Sequence, residues 1–308
     1  MDGRGGSFRT IATLMAIPLA GMAVFFFWQW LNDGITPKEA VKVVETSTLA
    51  RERTLAPRPS PLATRPSPPA ADPVHQDALP RVTPKKRSHE HRGDIVLIID
   101  DLGFDGQPIE RLMALDPNVN VAILPNGTRA SEFAETLHAR GFEILCHLPM
   151  QPRGRETPGR GAILTSMSDE EIARATRENV QAIPHARGVN NHMGSLATAD
   201  RRVMTSVIGA LPEGMYFIDS RTAGGSVAAD VAREHNVRTA TRHVFLDDVA
   251  SEAAVRRQVG ELAAAAEKRG TAIGIGHPYA VTMRVLAEEV PRLRERGFRF
   301  VRASEVVQ

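Results

Sequence analysis

The sequence predicts an α/β fold of alternating strands and helices, arranged as an α/β barrel or a distorted version of one. Three observations carry this expectation. From Gly93 onward, apolar runs bounded by turn signals alternate with amphipathic segments, the order that right-handed crossovers convert into a parallel sheet. The runs number about seven or eight in ~215 residues, which suits a barrel better than a short open sheet. No glycine-rich fingerprint for a dinucleotide or nucleotide phosphate follows the first run, although a doubly wound open sheet stays compatible with the alternation.

Residues 10–31 are almost wholly apolar and reach the ~20 residues that cross a bilayer. Arg4 and Arg9 precede this run, and Asp33 and Glu39 are among the charges after it. The positive-inside tendency therefore puts residues 1–9 in the cytoplasm and everything later outside it. The run is longer than a signal-peptide core and ends in Phe25-Phe26-Phe27-Trp28-Gln29-Trp30 with no small-x-small site directly after it, which favours an uncleaved anchor over a cleavable signal. Residues 32–92 change to Pro, Ala, Arg, Ser and Thr, as in Ala56-Pro57-Arg58-Pro59-Ser60-Pro61. With few large apolar residues to bury, this stretch is expected to be a disordered, partly polyproline-like spacer. The expected location is the bacterial inner membrane, crossed once, with residues 93–308 forming a folded domain on the periplasmic side.

Within that domain the first strand is Ile95-Val96-Leu97-Ile98-Ile99-Asp100-Asp101-Leu102-Gly103. An unbroken β-branched run suits a strand buried on both faces, and this one stops at two adjacent carboxylates. A short helix around 108–115 leads to a strand at 119–124, and a helix at 129–140 stops at Gly141 before a third strand at 142–146. Ser168-Asp169-Glu170-Glu171 offers a capping box for a helix running towards Ile183. Gly188-Val189-Asn190 is a weak strand candidate leading into Asn191-His192-Met193-Gly194-Ser195. A helix near 200–211 precedes the strand 215–218, which ends at Asp219. Another at 227–235 precedes the strand 244–246, which ends at Asp247 and Asp248. The long amphipathic helix 252–269 precedes 271–275, ending at Gly276-His277-Pro278, and a further helix and the strand 298–301 follow.

The formal net charge of +2 is too small to argue for a nucleic-acid partner, and the cluster Lys85-Lys86-Arg87 lies in the spacer. The single cysteine, Cys146, cannot form an internal disulfide and sits in an apolar run, as a buried structural thiol does. Titratable groups concentrate at the strand ends: Asp100, Asp101, His147, His192, Asp219, Asp247, Asp248 and His277. Plain structural uses compete: Asp100 and Asp101 as helix caps, His147 as a core histidine donating to a carbonyl, His192 in ordering the Asn190-Asn191 loop and His277 in fixing a turn before Pro278. Their shared position matters because α/β folds gather ligands beyond the carboxyl ends of strands. Carboxylates with neutral imidazoles suit zinc and related divalent ions, and three such ligands leave a position open for water.

These motifs resemble those of the divergent polysaccharide deacetylases, a branch of the polysaccharide deacetylase superfamily. The resemblance covers about 95–306 and rests on Ile99-Asp100-Asp101-Leu102-Gly103, His147-Leu148-Pro149-Met150-Gln151-Pro152, Gly188-Val189-Asn190-Asn191-His192-Met193-Gly194-Ser195, Phe217-Ile218-Asp219-Ser220-Arg221-Thr222, Val244-Phe245-Leu246-Asp247-Asp248 and Gly274-Ile275-Gly276-His277-Pro278. It implies an irregular (β/α) barrel of about seven parallel strands and metal-assisted removal of acetyl groups from N-acetylated sugars. It makes Asp100 the general base, Asp101 a metal ligand, His147 the first metal histidine and His277 the general acid. The better-studied branch has a second metal histidine four residues after the first, where this chain has Gln151; His192, at the next strand end, is the expected substitute. The branch's arginine-proline motif is replaced by Asn190-Asn191-His192. Asp219 is expected to orient or charge-balance His277, and Arg221 to hold a substrate oxygen or the base. The implied cofactor is a divalent metal, zinc first among the candidates. The implied substrate is peptidoglycan or another N-acetylated polysaccharide. The alternative is an envelope binding or scaffold protein that keeps the domain without turnover. Metal-dependent hydrolysis of phosphate esters is a third use of the same ligands, but no cluster of phosphate-binding arginines is evident.

Overall fold

The computed structural model describes residues 91–308. The apolar run at 10–31 and residues 32–90 of the expected spacer lie outside the described residues. Among the described residues, no helix is long and apolar enough to cross a membrane.

The elements run β1 (Gly93–Leu102), α1 (Ile109–Met113), β2 (Asn120–Ile123), α2 (Ala130–Ala139), β3 (Glu143–Met150), α3 (Asp169–Gln181), β4 (Ala186–Met193), α4 (Arg201–Gly209), β5 (Tyr216–Asp219), α5 (Ala228–Glu234), β6 (Thr239–Thr241), β7 (Val244–Phe245), α6 (Glu252–Arg269), β8 (Thr271–Gly276), α7 (Ala280–Glu295) and β9 (Phe298–Phe300). Local chemistry sets several of these boundaries. Ser168 and Glu171 form the reciprocal capping box that starts α3, and the side chains of Asp200 and Ser251 accept from the first turns of α4 and α6. Gly270, at φ 81°, takes the left-handed conformation that ends α6 before β8.

Every strand pairing is parallel, in the order β6-β5-β4-β3-β2-β1-β8-β7, with β9 also paired to β1. β1 is held along both edges. Ile95 pairs with β8 and β9, and Ile98 with β8 and β2, so β9 and β2 share the edge opposite β8. The sheet curls towards a barrel, because side chains from β1, β3, β5 and β8 meet in one interior cluster with Val301, Ala303 and Val307. β6 and β7, the two ends of the order, are joined by residues 242 and 243. Arg242 N–H donates to Asp219 C=O on β5 and His243 N–H to Ile273 C=O on β8, so this link spans the gap.

The two faces of each strand follow the two-residue period of a pleated chain. On β1, Val96 and Ile98 point into the interior while Ile95, Leu97 and Ile99 pack under the helices. The same alternation sends Leu145 of β3, Tyr216 and Ile218 of β5, and Ile273 and Ile275 of β8 inward. Gly188 on β4 leaves room for the Tyr216 ring, whose Cε2 lies 2.3 Å from where a Cβ would stand.

The alternation of strands and helices is as expected, with nine strands among the described residues rather than seven or eight. β4 is longer than its weak signal suggested, running through Asn190, Asn191 and His192 to pair with β3 as far as Met150. β6 carried no apolar run and was not anticipated. Cys146 is buried on β3 with its thiol directed at Asn179 C=O, and burial pushes that thiol well above its ordinary range.

Candidate metal centre

Strand parity explains which side chains reach the upper, carboxyl-end rim of the barrel. Counting by twos from the interior apolar residues, Val96 and Ile98 lead to Asp100, Leu145 to His147, Gly188 to Asn190 and His192, Phe245 to Asp247, and Ile273 and Ile275 to His277. Asp101 has the wrong parity for the interior, yet it reaches the same place. Its backbone sits at φ 58°, and the β1–β2 register breaks between Ile99 and Leu102. An aspartate tolerates this left-handed turn better than most residues, and the turn swings the second carboxylate round to join the first. Met193 at φ 51°, the last residue of β4, and Arg221 at φ 47°, just beyond β5, mark similar turns. Three of the five non-glycine residues with positive φ among the described residues thus lie where the polar groups gather; the other two, His185 and Asn236, precede β4 and β6.

Asp101 Oδ1 is the convergence point. His147 Nε2 lies 3.1 Å from it and His192 Nδ1 2.8 Å, and one ligand atom from each of the three residues falls within 4.8 Å of the other two. Despite these distances Asp101 Oδ1 is buried without a hydrogen-bond partner. A buried carboxylate oxygen left unpaired at contact distance from two imidazole nitrogens is costly in the protein alone, and it is the donor arrangement a divalent cation satisfies. The residues therefore fit a metal of the zinc type. Burial opposes ionisation of Asp101, but the two imidazoles outweigh it and hold the carboxyl far below its usual range.

Asn190, buried at the centre of β4, ties the neighbouring groups together. Its Oδ1 lies 2.9 Å from His147 Nδ1 and its Nδ2 donates to Asp100 Oδ1 at 2.8 Å. An amide oxygen accepts only, so this contact fixes the proton of His147 on Nδ1 and leaves the Nε2 lone pair facing Asp101. Asp100 is 3% exposed. Burial raises its carboxyl above 3.8, and the neighbouring Asp101 adds to the rise while His147, His277 and the Asn190 amide oppose it.

Across the rim, His277 forms a second constellation with Asp247. Asp247 Oδ1 is 2.9 Å from His277 Nδ1, and its Oδ2 accepts from the His277 backbone N–H at 2.7 Å and from Thr282 Oγ1 at 2.8 Å. His277 Nε2 then faces the centre, 3.7 Å from Asp101 Oδ2. Burial disfavours the imidazolium, but the hydrogen bond and charge of Asp247, aided by Asp101 and Asp100, raise it to about 9.

One sequence expectation needs correction. Asp219 does not orient His277: it shares the outward parity of Phe217, and its Oδ1 accepts the backbone N–H of Arg221 instead. That place belongs to Asp247, which the sequence marked as a charged strand end without a role. Gln151 takes no part in the centre, in keeping with its replacement by His192: its Oε1 accepts from Thr165 N–H and Oγ1 and fastens the loop after β3. Arg221 is exposed just past β5, and the Arg242 guanidinium clamps that turn by donating to Ser220 C=O and Arg221 C=O. Asn190 and Asp247 are the site residues that sequence reasoning passed over. Strand parity was the signal that singles them out.

Residues 97–307 match the model of the divergent polysaccharide deacetylase family. The chain is 37% identical over 202 residues to the uncharacterized protein YibQ of Escherichia coli (strain K12), covering 65% of this chain and 63% of that protein. It thus spans less than two thirds of that relative's length. An uncharacterized protein of Haemophilus influenzae is also 37% identical over 202 residues, covering 65% of this chain and 72% of its own. Among solved structures, the uncharacterized protein ATU2773 from Agrobacterium tumefaciens C58 shares the fold, with a TM-score of 0.67 at 21% identity over 71% of this chain and 91% of that one. The chain belongs to the divergent polysaccharide deacetylase family.

Proposed function

We propose that this divergent polysaccharide deacetylase hydrolyses the acetamide of an N-acetylated envelope glycan with the aid of a divalent metal, zinc first among the candidates. The observation that carries the reading is the convergence of His147 Nε2 and His192 Nδ1 on the unpaired, buried Asp101 Oδ1, with Asp100 beside it and His277 opposite. When bound there, such a cation polarises an acyl carbonyl and makes water a stronger acid. Asp101, His147 and His192 hold it, and Asn190 fixes the tautomer of His147. Asp100 takes the proton of the attacking water; Asn190 occupies its Oδ1, and Oδ2 is left to accept. As the carbon–nitrogen bond breaks, His277 delivers a proton from Nε2 to the leaving nitrogen, giving acetate and a free amino sugar. Asp247 keeps that imidazole oriented and favours its charged form. In this reading Arg221, exposed just past β5, holds a substrate oxygen. The envelope location rests on the apolar run 10–31 and the Pro-rich stretch after it, which tether the domain to the membrane in this reading.

One observation favours the rival reading of a binding or scaffold protein: Gln151 stands where the better-studied branch has its second metal histidine, and it is committed to Thr165. Metal analysis of the full chain together with acetate release from N-acetylated glycans separates the two. The expected result is about one divalent ion per chain, lost in Asp101→Ala and His192→Ala, and acetate release abolished in Asp100→Asn with the metal retained. Metal bound without acetate released from any N-acetylated glycan sinks the enzyme and leaves the binding protein. No metal in any preparation overturns both.

A further inference from the structure

Beside the acid of the proposed reaction stands an aromatic ring that neither the core nor the chemistry uses. Among the described residues, the exposed large hydrophobic side chains are Tyr279, at 48%, and Val249, at 58%. Both lie on the catalytic rim, in the loops after paired strands. Phe245 of β7 faces Ile275 of β8 across the ladder, and Val249 and Tyr279 each stand four residues further on. Tyr279 occupies the N-cap of α7 and makes no side-chain cap there. That position favours Ser, Thr, Asp or Asn, so the helix gains nothing from the ring.

The ring is nevertheless braced. It stacks on His277 with centroids 5.3 Å apart at 26°, His277 meets Phe245 edge-on at 5.4 Å, and the Arg242 guanidinium lies 4.9 Å over the Phe245 ring. One side of Tyr279 is thus supported by a continuous column of planar groups, and the side chain is half exposed to solvent. A flat aromatic surface already held in place costs little entropy on binding. Its electron-rich face attracts C–H bonds that carry partial positive charge, such as those on the apolar side of a pyranose ring.

We infer that the exposed side of Tyr279 is a stacking platform for a sugar ring of a linear N-acetylated glycan. The ring it holds is a neighbour of the one being deacetylated, with Val249 adding apolar contact. The inference rests on the deacetylase reading and narrows it to a chain of sugars rather than an isolated one, because a residue beside the proton donor is placed to grip what lies next to the reacting nitrogen.

The test separates the platform from the chemistry. The full chain carrying Asp100→Asn, which blocks proton abstraction, is titrated calorimetrically with the linear β-1,4-linked tetramer of N-acetylglucosamine. Adding Tyr279→Ala is expected to weaken binding about tenfold, the effect of losing one aromatic contact, whereas Tyr279→Phe and Tyr279→Trp stay within about threefold. Proton spectra provide a second readout: sugar C–H resonances shift upfield on binding the parent and lose that shift with Tyr279→Ala. Retention of affinity within about twofold in Tyr279→Ala, or no binding of the tetramer by the parent, overturns the platform. In the otherwise unmodified chain, Tyr279→Ala is expected to raise KM for the tetramer, whereas Tyr279→Phe, which keeps the stack on His277, leaves KM and kcat within about twofold. Acetate release that is indifferent to Tyr279 removes the platform and leaves the deacetylase. Tyr279-dependent binding without acetate release does the reverse.

Discussion

The two ends of the barrel both bury polar side chains, and among the described residues only the upper end leaves any of them without a partner. At the lower end Glu143 Oε1 accepts from Tyr216 Oη at 2.8 Å and from Ser304 N–H at 2.8 Å, while its Oε2 takes the Ser304 hydroxyl. Asn120 accepts from Ala303 N–H and donates to Leu97 C=O and Val301 C=O. At the upper end, the two buried side-chain atoms that lack a partner among the described residues, Asp101 Oδ1 and Asn126 Oδ1, both lie where the chain leaves a strand for a rim loop. Saturated polar groups lock a structure, because every donor and acceptor already has what it needs. An unsaturated one is costly until something completes it, as a bound cation would at Asp101 Oδ1. The difference teaches that burial of a polar residue is a poor guide to function and that incomplete pairing is a better one.

This contrast can be broken most forcefully at Asp101. Asp101→Ala is expected to abolish metal binding and lower acetate release by about 10³-fold or more while circular dichroism still reports the native fold; a variant that keeps its metal removes the basis of the contrast. Glu143→Leu should behave inversely. It strands the Tyr216 and Ser304 donors and is expected to cost about 3 kcal/mol in urea denaturation, with metal per folded chain unchanged. Loss of metal from the folded variant would show the two ends to be coupled.

A subtler distinction is the pH dependence of the metal-free protein. His277 is raised from 6.5 to about 9 in the fold, so its contribution is complete below about pH 6.5 and is lost as the pH rises through about 9. Stability measured near pH 6 and near pH 10 should differ from this source by at most about 3 kcal/mol, and His277→Gln should flatten the curve. An unchanged slope in that variant would assign the titration elsewhere. The mildest effect is expected at Asn190. Asn190→Ala frees the tautomer of His147 and should weaken metal affinity by about 10- to 100-fold, measured by competition with a chelator. Unaltered affinity would reduce Asn190 to a packing role.

Much of the barrel was legible because it is written in apolar periodicity. The run before Asp100, the capping box at Ser168 and the helix at Glu252–Arg269 all stand where the residues place them. What escaped is what periodicity does not register. β6, Thr239-Ala240-Thr241, is short and not apolar, and β4 carries Asn190, Asn191 and His192 whose polarity is satisfied by one another's neighbours rather than by water. The site had the same blind spot. Titratable residues at strand ends were easy to see, but which of them face inward depends on counting by twos from the interior residues, and the split between interior and helix-facing residues is visible only once the sheet has curled. That parity turns Asp219 away and brings Asp247 to His277, whereas Asp101 escapes it through a left-handed turn that no pattern of hydrophobicity announces.

The saturated lower end also sets the order of events when the chain folds. β9 lies against the start of β1, and Arg299 pairs with Asp94 across 205 residues of sequence. Thr239 and Gln308 exchange backbone hydrogen bonds at the edge of the sheet. The interior therefore cannot be sealed while residues 298–308 are missing, however much of the sheet has already assembled. Contacts that distant in sequence form slowly, so an emerging chain would wait with its interior open and the start of β1 unpaired on the β9 side until residues 298–308 arrive.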